Sequence, residues 1–267
     1  SGAGDRMTPT RAPRTSEGTV LLLGATGRTG RRVLAELLAR DVATRVIVRS
    51  ADRLPEDLAD HPRLTVVEAD LLDLPHDELV RLLAPCHAVI SCLGHTLSLR
   101  GVFGPPRDLV ERAVANVLVA ARAHRRPEPL RLILMSSVSV HRPGRADPRR
   151  GPIERLVLAA LRAMVPPARD NQRAADLLAR TVAADGAVVD GVVVRPDTLE
   201  EGGATRYEVH EALVASLFRP RTTRIANVAD VLADLACDDA AWTRWRGTMP
   251  VVVDAEPKGA GAAEVRP

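Results

Sequence analysis

Apolar residues recur along this chain in two alternating rhythms. Short, nearly unbroken runs fall at 20–23, 45–48, 64–68, 88–93, 130–135, 192–194 and 250–253. Runs of that length read as strands buried on both faces. Between them the spacing changes to that of helices. Val33, Leu34, Leu37 and Leu38 share one face, as do Val110, Val114, Val117, Leu118 and Ala121 over 108–124. Shorter helical stretches are expected at 77–83, 153–164, 169–184 and 228–236, the middle two parted by Pro166-Pro167. Strands alternating with helices predict an α/β fold: a Rossmann-type doubly wound parallel sheet with ligands at the carboxyl ends of its strands. One domain is expected over 19–255, with a small substrate-capping region from about 197. Residues 1–18 and 256–267 are rich in small and polar residues and are expected to be tails without order. Ser1-Gly2 is consistent with a cleavage scar and Met7 with a natural start.

The most informative stretch is 19–50. Its first strand runs into Gly24-Ala25-Thr26-Gly27-Arg28-Thr29-Gly30, and a helix and second strand follow. Gly24 permits a sharp turn off the strand, Gly27 a close approach of backbone to a pyrophosphate, and Gly30 tight packing of helix on sheet. The helix N-terminus then presents free N–H groups to the phosphates. The G-x-x-G-x-x-G spacing differs from the usual G-x-G-x-x-G, but its strand–turn–helix context makes it a dinucleotide site. Arg49 ends the second strand, where an acidic residue would hold the ribose of NAD and an arginine suits the 2′-phosphate of NADP. The expected cofactor is NADP(H), although Asp52 and Arg53 follow closely.

Composition narrows the partners. With 46% hydrophobic residues but only Phe103, Tyr207, Phe218, Trp242 and Trp245 as aromatics, the core must be filled by Leu, Val and Ala. The net charge is +3, nearly all the positive charge is arginine, and no nucleic-acid motif interleaves aromatics with it. Cys86, Cys92 and Cys237 lack metal-ligand spacing. No apolar run approaches the roughly 20 residues of a bilayer span. These features predict a cytoplasmic protein with a small-molecule substrate, no nucleic-acid or membrane partner and no bound metal. A monomer or a homodimer is expected, without a heptad pattern or an obvious exposed apolar stripe.

The chain resembles the short-chain dehydrogenase/reductase superfamily in its atypical branch, which includes NmrA-like and flavin-reductase-like NAD(P)H-binding proteins. GATGRTG, Arg49, Asp70-Leu71, Cys92-Leu93-Gly94, Ser136-Ser137 and Arg195-Pro196 carry the likeness, over 19 to about 202. The resemblance implies that Asp70 and Leu71 flank the adenine and that Leu93 and Gly94 line the cofactor. Ser136, Ser137 and Pro196 would approach the nicotinamide. The alternative for Asp70 is a loop or capping carboxylate, and for the serines a satisfied strand end. Many members carry Tyr-x-x-x-Lys after the fifth strand; here the only tyrosine is Tyr207 and the only lysine Lys258, so that pair is absent. Ser137, His141 and Asp170 are the candidate catalytic replacements. A histidine with pKa near ~6.5 suits proton transfer, whereas Asp170 also fits an N-cap of its own helix. His95, Tyr207 and His210 are further candidates for substrate contact.

Three functions fit. The leading one is an NADPH-dependent oxidoreductase acting on an electron-poor acceptor such as a quinone, flavin or enone, which needs less acid help than a ketone. The second is a non-redox isomerase, dehydratase or cyclase on the same fold, and the third an NADP-sensing regulator in the NmrA manner.

Overall fold

The computed structural model describes residues 5–7, 18–94, 106–124, 126–142, 147, 150–185 and 188–256. Its apolar runs become strands, in chain order β1 (Asp5–Met7), β2 (Thr19–Leu23), β3 (Thr44–Val48), β4 (Leu64–Glu68), β5 (Cys86–Ser91), β6 (Leu130–Met135) and β7 (Val189–Pro196). β8 (Thr198–Glu200), β9 (Tyr207–His210), β10 (Thr222–Arg224) and β11 (Val251–Asp254) complete them. The helices are α1 (Arg28–Ala39), α2 (Glu56–Ala59), α3 (His76–Leu83), α4 (Leu109–Ala123), α5 (Pro152–Met164), α6 (Pro166–Asp185), α7 (Ile225–Cys237) and α8 (Asp239–Trp245).

Nine strands form the main sheet in the order β1-β9-β11-β7-β6-β5-β2-β3-β4. Pairing is parallel from β11 to β4, and antiparallel where β9 meets β11 and β1. The strand order reverses direction between β2 and β5, so a crevice opens there at the carboxyl ends, as in other doubly wound sheets. Both faces are covered, which is why the central strands read as continuous apolar runs. On one face α1 and α7 bring Val33, Leu34, Leu37, Val228 and Leu232 onto β2, β3 and β6. On the other, α3, α4 and α6 bury Leu79, Leu83, Val114, Val117 and Leu178.

Three details depart from the sequence reading. Residues 5–7, expected in a tail without order, form β1, because β9 offers an unpaired strand edge to which Asp5, Arg6 and Met7 are in register. The stretch after 197 does more than cap a cleft: β9 and β11 extend the main sheet, and α7 builds its core. And α5 does carry an exposed apolar stripe, with Ile153, Leu156 and Met164 about 70% exposed. Only one seam of that helix, Glu154 and Leu158, is buried, a choice of face that periodicity alone does not make. Among the described residues no helix is long and apolar enough to cross a membrane, and no cluster of side chains suits a metal ion.

Candidate functional site

The glycine turn sits at the switch point, and two of its glycines are fixed by their surroundings. Gly24 has φ +80°, and a Cβ on it would lie 2.8 Å from the main chain of Cys92, so the turn lies directly against the chain leaving β5. A Cβ on Gly30 would stand 2.0 Å from the Gly24 carbonyl oxygen. The Gly27 N–H donates to that same oxygen at 3.0 Å, closing the turn. Gly27 differs from the other two. Its φ of −81° and ψ of 168° suit any residue, and the nearest neighbour of a Cβ would be 3.3 Å away. Within the chain, a side chain here would meet only a mildly tight contact with the Gly24 carbonyl oxygen.

Gly27 is the N-cap of α1, which has no side-chain cap and no acidic residue in its first turn. With the Gly27 N–H spent on the turn, the N–H groups of Arg28, Thr29 and Gly30 and the positive end of the helix dipole face the crevice. This cradle fits the pyrophosphate of a dinucleotide. Thr26 borders the turn half-buried, Thr29 is buried beneath it, and Arg28 is exposed, with its Nε donating to Glu201 at 3.1 Å. Arg49, at the end of β3, is exposed and open to a phosphate. Glu68 lies across from it at the end of β4, where it accepts from the Ala51 N–H at 2.9 Å. Asp70 is exposed and accepts from the Leu72 N–H at 2.9 Å, holding the loop that buries Leu71. Leu93 and Gly94 follow β5, half-buried and exposed.

At the neighbouring end of β6 the chain forms the wall of a second hollow. Ser136 is buried, and its N–H donates to the Val194 carbonyl at 2.8 Å. Ser137 Oγ lies 2.6 Å from Ser139 Oγ. A cleft of about 210 Å³ opens here, lined by Ser137, Ser139, Glu154, Asp197, Thr198 and Leu217 among others. Behind its wall lies a buried ionic cluster. Arg195, with no exposed surface, donates to the carbonyls of Met249 and Val140 and to Asp147 at 3.2 Å. Arg150 faces the same Asp147 at 3.8 Å and donates to the Val138 carbonyl. Burial pulls the Arg195 pKa down to about 10 despite Asp147. Together the two guanidiniums tie the segment after β6 to β7 and so position Ser137 and Ser139.

The other candidates fall elsewhere. Asp170 lies inside α6 rather than at its start, since that helix begins at Pro166. Its carboxylate is buried and accepts from the N–H groups of Val110 at 2.8 Å and Glu111 at 2.9 Å. It caps α4, a neighbouring helix, rather than its own, and both oxygens are used in doing so. His141 has its main chain clasped by the Gln172 amide, with bonds of 3.0 and 3.2 Å, and is not among the residues lining the cleft. Tyr207 faces away from the cleft: fully buried, its hydroxyl donates to Asp230 at 2.7 Å beneath α7. Burial, with the Asp230 charge, raises its pKa. Asp230 also accepts from Arg40 at 2.5 Å, and Arg40 in turn holds Asp234 at 2.7 Å and Glu36 at 2.9 Å. His210 pairs with Glu208 at 3.1 Å on β9, also outside the cleft lining. His95 and Lys258 lie outside the described residues.

Ser139, Glu154 and Asp197 line the cleft without having stood out in the sequence. Asp197 is raised above the usual carboxylate range by burial and accepts from the Arg221 N–H at 3.1 Å. A serine two residues beyond Ser137 was the one available signal.

Comparison with known proteins agrees with this geometry. A family model described as NAD(P)H-binding matches residues 24–239. A short-chain dehydrogenase/reductase from Veillonella parvula, solved in complex with NADP, is 16% identical, with 94% of this chain and 98% of that chain covered and a TM-score of 0.63. An anaerobilin reductase from Escherichia coli is 20% identical, over 91% of this chain and 100% of that chain, with a TM-score of 0.61. Those likenesses carry the fold. A curated chloroplastic protein of Arabidopsis thaliana described as uncharacterized is 33% identical over 73 residues, only 27% of this chain and 26% of that protein.

Proposed function

The chain belongs to the NAD(P)H-binding family, and from that premise we propose that it is an NADPH-dependent reductase of the atypical short-chain dehydrogenase/reductase type. Its substrate is a small, electron-poor acceptor: a quinone, flavin or enone. The observation that carries this reading is that the uncapped α1 N-terminus, after β2, and the cleft walled by Ser137 and Ser139, after β6, both lie at the carboxyl ends of strands in one parallel sheet.

Gly24, Thr26, Gly27, Thr29 and Gly30 hold the pyrophosphate against the first-turn N–H groups. Arg49, with Arg28 nearby, supplies positive charge for the 2′-phosphate. Asp70 and Leu71 flank the adenine, while Leu93, Gly94, Ser136 and Pro196 line the path toward the nicotinamide. When bound, the dinucleotide supplies a hydride. Ser137 donates a hydrogen bond to the oxygen or nitrogen on which charge develops, and Ser139, 2.6 Å away, fixes its rotamer. One hydride and one proton reduce the acceptor by two electrons. The proton reaches the anion from solvent, because acceptors of this kind stabilise it without a strong acid beside them. Free thiols at Cys86, Cys92 and Cys237 suit a reducing cytoplasm, and the protein acts there as a monomer or homodimer.

Titration with NADPH and NADH, followed by an acceptor panel monitored by loss of nicotinamide absorbance, tests this. NADPH binds at least ~10-fold more tightly, a difference of about 1.4 kcal/mol. Ser137→Ala lowers kcat/KM by about 10²-fold and leaves nucleotide affinity alone. Equal affinity for the two nucleotides removes the NADPH preference. Tight binding with no turnover favours the regulator, and product formed without nicotinamide oxidation favours the non-redox enzyme.

A further inference from the structure

Glu154 is the one acidic side chain in the cleft wall with an idle oxygen. It sits in the first turn of α5 and is only 5% exposed, on a helix whose neighbouring positions face outward. Oε1 accepts from the Leu217 N–H at 2.9 Å, fixing the carboxylate across the cleft mouth. Oε2 is buried and has no partner among the described residues. Leaving a buried carboxylate oxygen unpaired is costly, and a native fold keeps such a group only where something is gained from it.

Two buried guanidiniums, Arg150 in the wall and Arg195 behind it, share the carboxylate of Asp147. Glu154 and Arg150 line the same cleft. A carboxylate is an acceptor only. It can be satisfied by a donor on whatever enters, but not by a bare carbonyl or an aromatic face.

We infer that Glu154 Oε2 accepts a hydrogen bond from a ring N–H or O–H of the acceptor, and so restricts the substrate to planar acceptors that carry such a donor near the reducible centre. A hollow of about 210 Å³ holds one ring of such a molecule. Flavins and hydroxyquinones qualify; a simple quinone does not. The inference rests on the reading that the acceptor occupies this cleft, and it adds what the cleft demands of it. Ser137 and Glu154 then divide the work: the serine hydroxyl donates to the centre that gains charge, and Glu154 selects the molecule. Sites built to bond a polar hydrogen reject analogues lacking it far more strongly than apolar pockets reject a missing methylene.

The test compares riboflavin with the same flavin methylated on its ring N–H, using the full chain. Binding is read from quenching of flavin emission and turnover separately from nicotinamide oxidation; menadione serves as an acceptor without a donor. The expected result is riboflavin binding at least ~10-fold tighter than its methylated form. Glu154→Gln, checked by thermal melting for an intact fold, weakens riboflavin by a similar factor. It leaves the methylated flavin unchanged or improved, because the amide now offers a donor of its own. Equal binding of the two flavins to the wild type overturns the inference, as does an equal loss of both in Glu154→Gln. Reduction of menadione without any flavin binding overturns it too, while leaving the reductase reading intact. Absence of nicotinamide oxidation with every acceptor defeats the reductase reading, and the flavin-binding comparison still decides the role of Glu154.

Discussion

Gly27 and Gly30 stand three residues apart in one turn, yet alanine should act on them in opposite ways. At Gly30 the new methyl would lie 2.0 Å from the Gly24 carbonyl oxygen and 2.7 Å from its carbon. Ordinary contact begins at 3.4 Å, so turn and helix must part by more than ~1 Å, breaking the Gly27-to-Gly24 bond and unseating Val33 and Leu34. Overpacking of this kind costs about 3 kcal/mol, roughly 6–12 °C in melting temperature for a domain of this size. At Gly27 the backbone is extended and the nearest atom, the Gly24 carbonyl oxygen, would be 3.3 Å away, just inside ordinary contact and relieved by a small shift. The cost to folding is a cap preference of ~1 kcal/mol at most. The methyl does, however, occupy the place the pyrophosphate needs. Losing one charge-assisted bond there, at about 1.5–3 kcal/mol, weakens NADPH by about 10- to 100-fold. The assays are denaturant unfolding and a titration read by nucleotide emission or calorimetry. Protein fluorescence is a poor probe, because Trp242 and Trp245 lie on α8, where Trp242 packs on Arg131 at the start of β6, away from the crevice. Unimpaired NADPH binding by Gly27→Ala would refute the cradle, and undiminished stability of Gly30→Ala would refute the packing argument.

Asp170→Ala strips the acceptor from two N–H groups at the start of α4, costing about 2 kcal/mol in urea unfolding, while turnover per folded molecule stays within twofold; a large loss of kcat in folded protein would return Asp170 to catalysis. Arg40→Met removes the counter-charge of Asp230 and Asp234 and costs about 3 kcal/mol near neutral pH. Burial already lifts Asp234 from 3.8 to about 6, so the folded state takes up a proton the unfolded chain releases. Its penalty therefore grows as pH rises through that window, and without Arg40 the folded pKa climbs further. The defect should shrink between pH 7 and pH 5 in paired denaturation curves, and a defect that widens on acidification contradicts this. Arg49→Ala should cut the preference for NADPH over NADH about 10-fold, with the wild-type preference fading in high salt because the site is exposed; an unaltered ratio moves the 2′-phosphate elsewhere.

Where the sequence was readable, the determinants were local. The turn from Gly24 to Gly30 declares itself because strand, glycines and helix are contiguous, and β4 and β6 begin and end where the apolar runs do. Asp170 was misleading for the opposite reason: its N-cap chemistry was right, but the helix it caps starts about 60 residues earlier in the chain. Glu154 looks like a solvated charge on an amphipathic helix until Leu217 folds over it. Tyr207 and Val209 alternate with Glu208 and His210 over only four residues, and the partner of the buried hydroxyl, Asp230, arrives from α7. Ser137 stands out in the sequence only through resemblance, and its hydrogen-bond partner Ser139 only through the fold.

The position of β11 has a consequence for how the protein is made. This strand, the last described element, lies between β7 and β9. Until residues 251–254 have emerged from the ribosome, β9 and the β1 strand paired with it have no edge to join. The nucleotide half, from β2 to α6, can collapse earlier around its own helices. Nucleotide-binding surface should therefore appear on nascent chains before β9 is seated on the sheet. In that interval β7 is an exposed, apolar strand edge, the point at which a stalled or truncated chain would be captured by a chaperone or begin to aggregate.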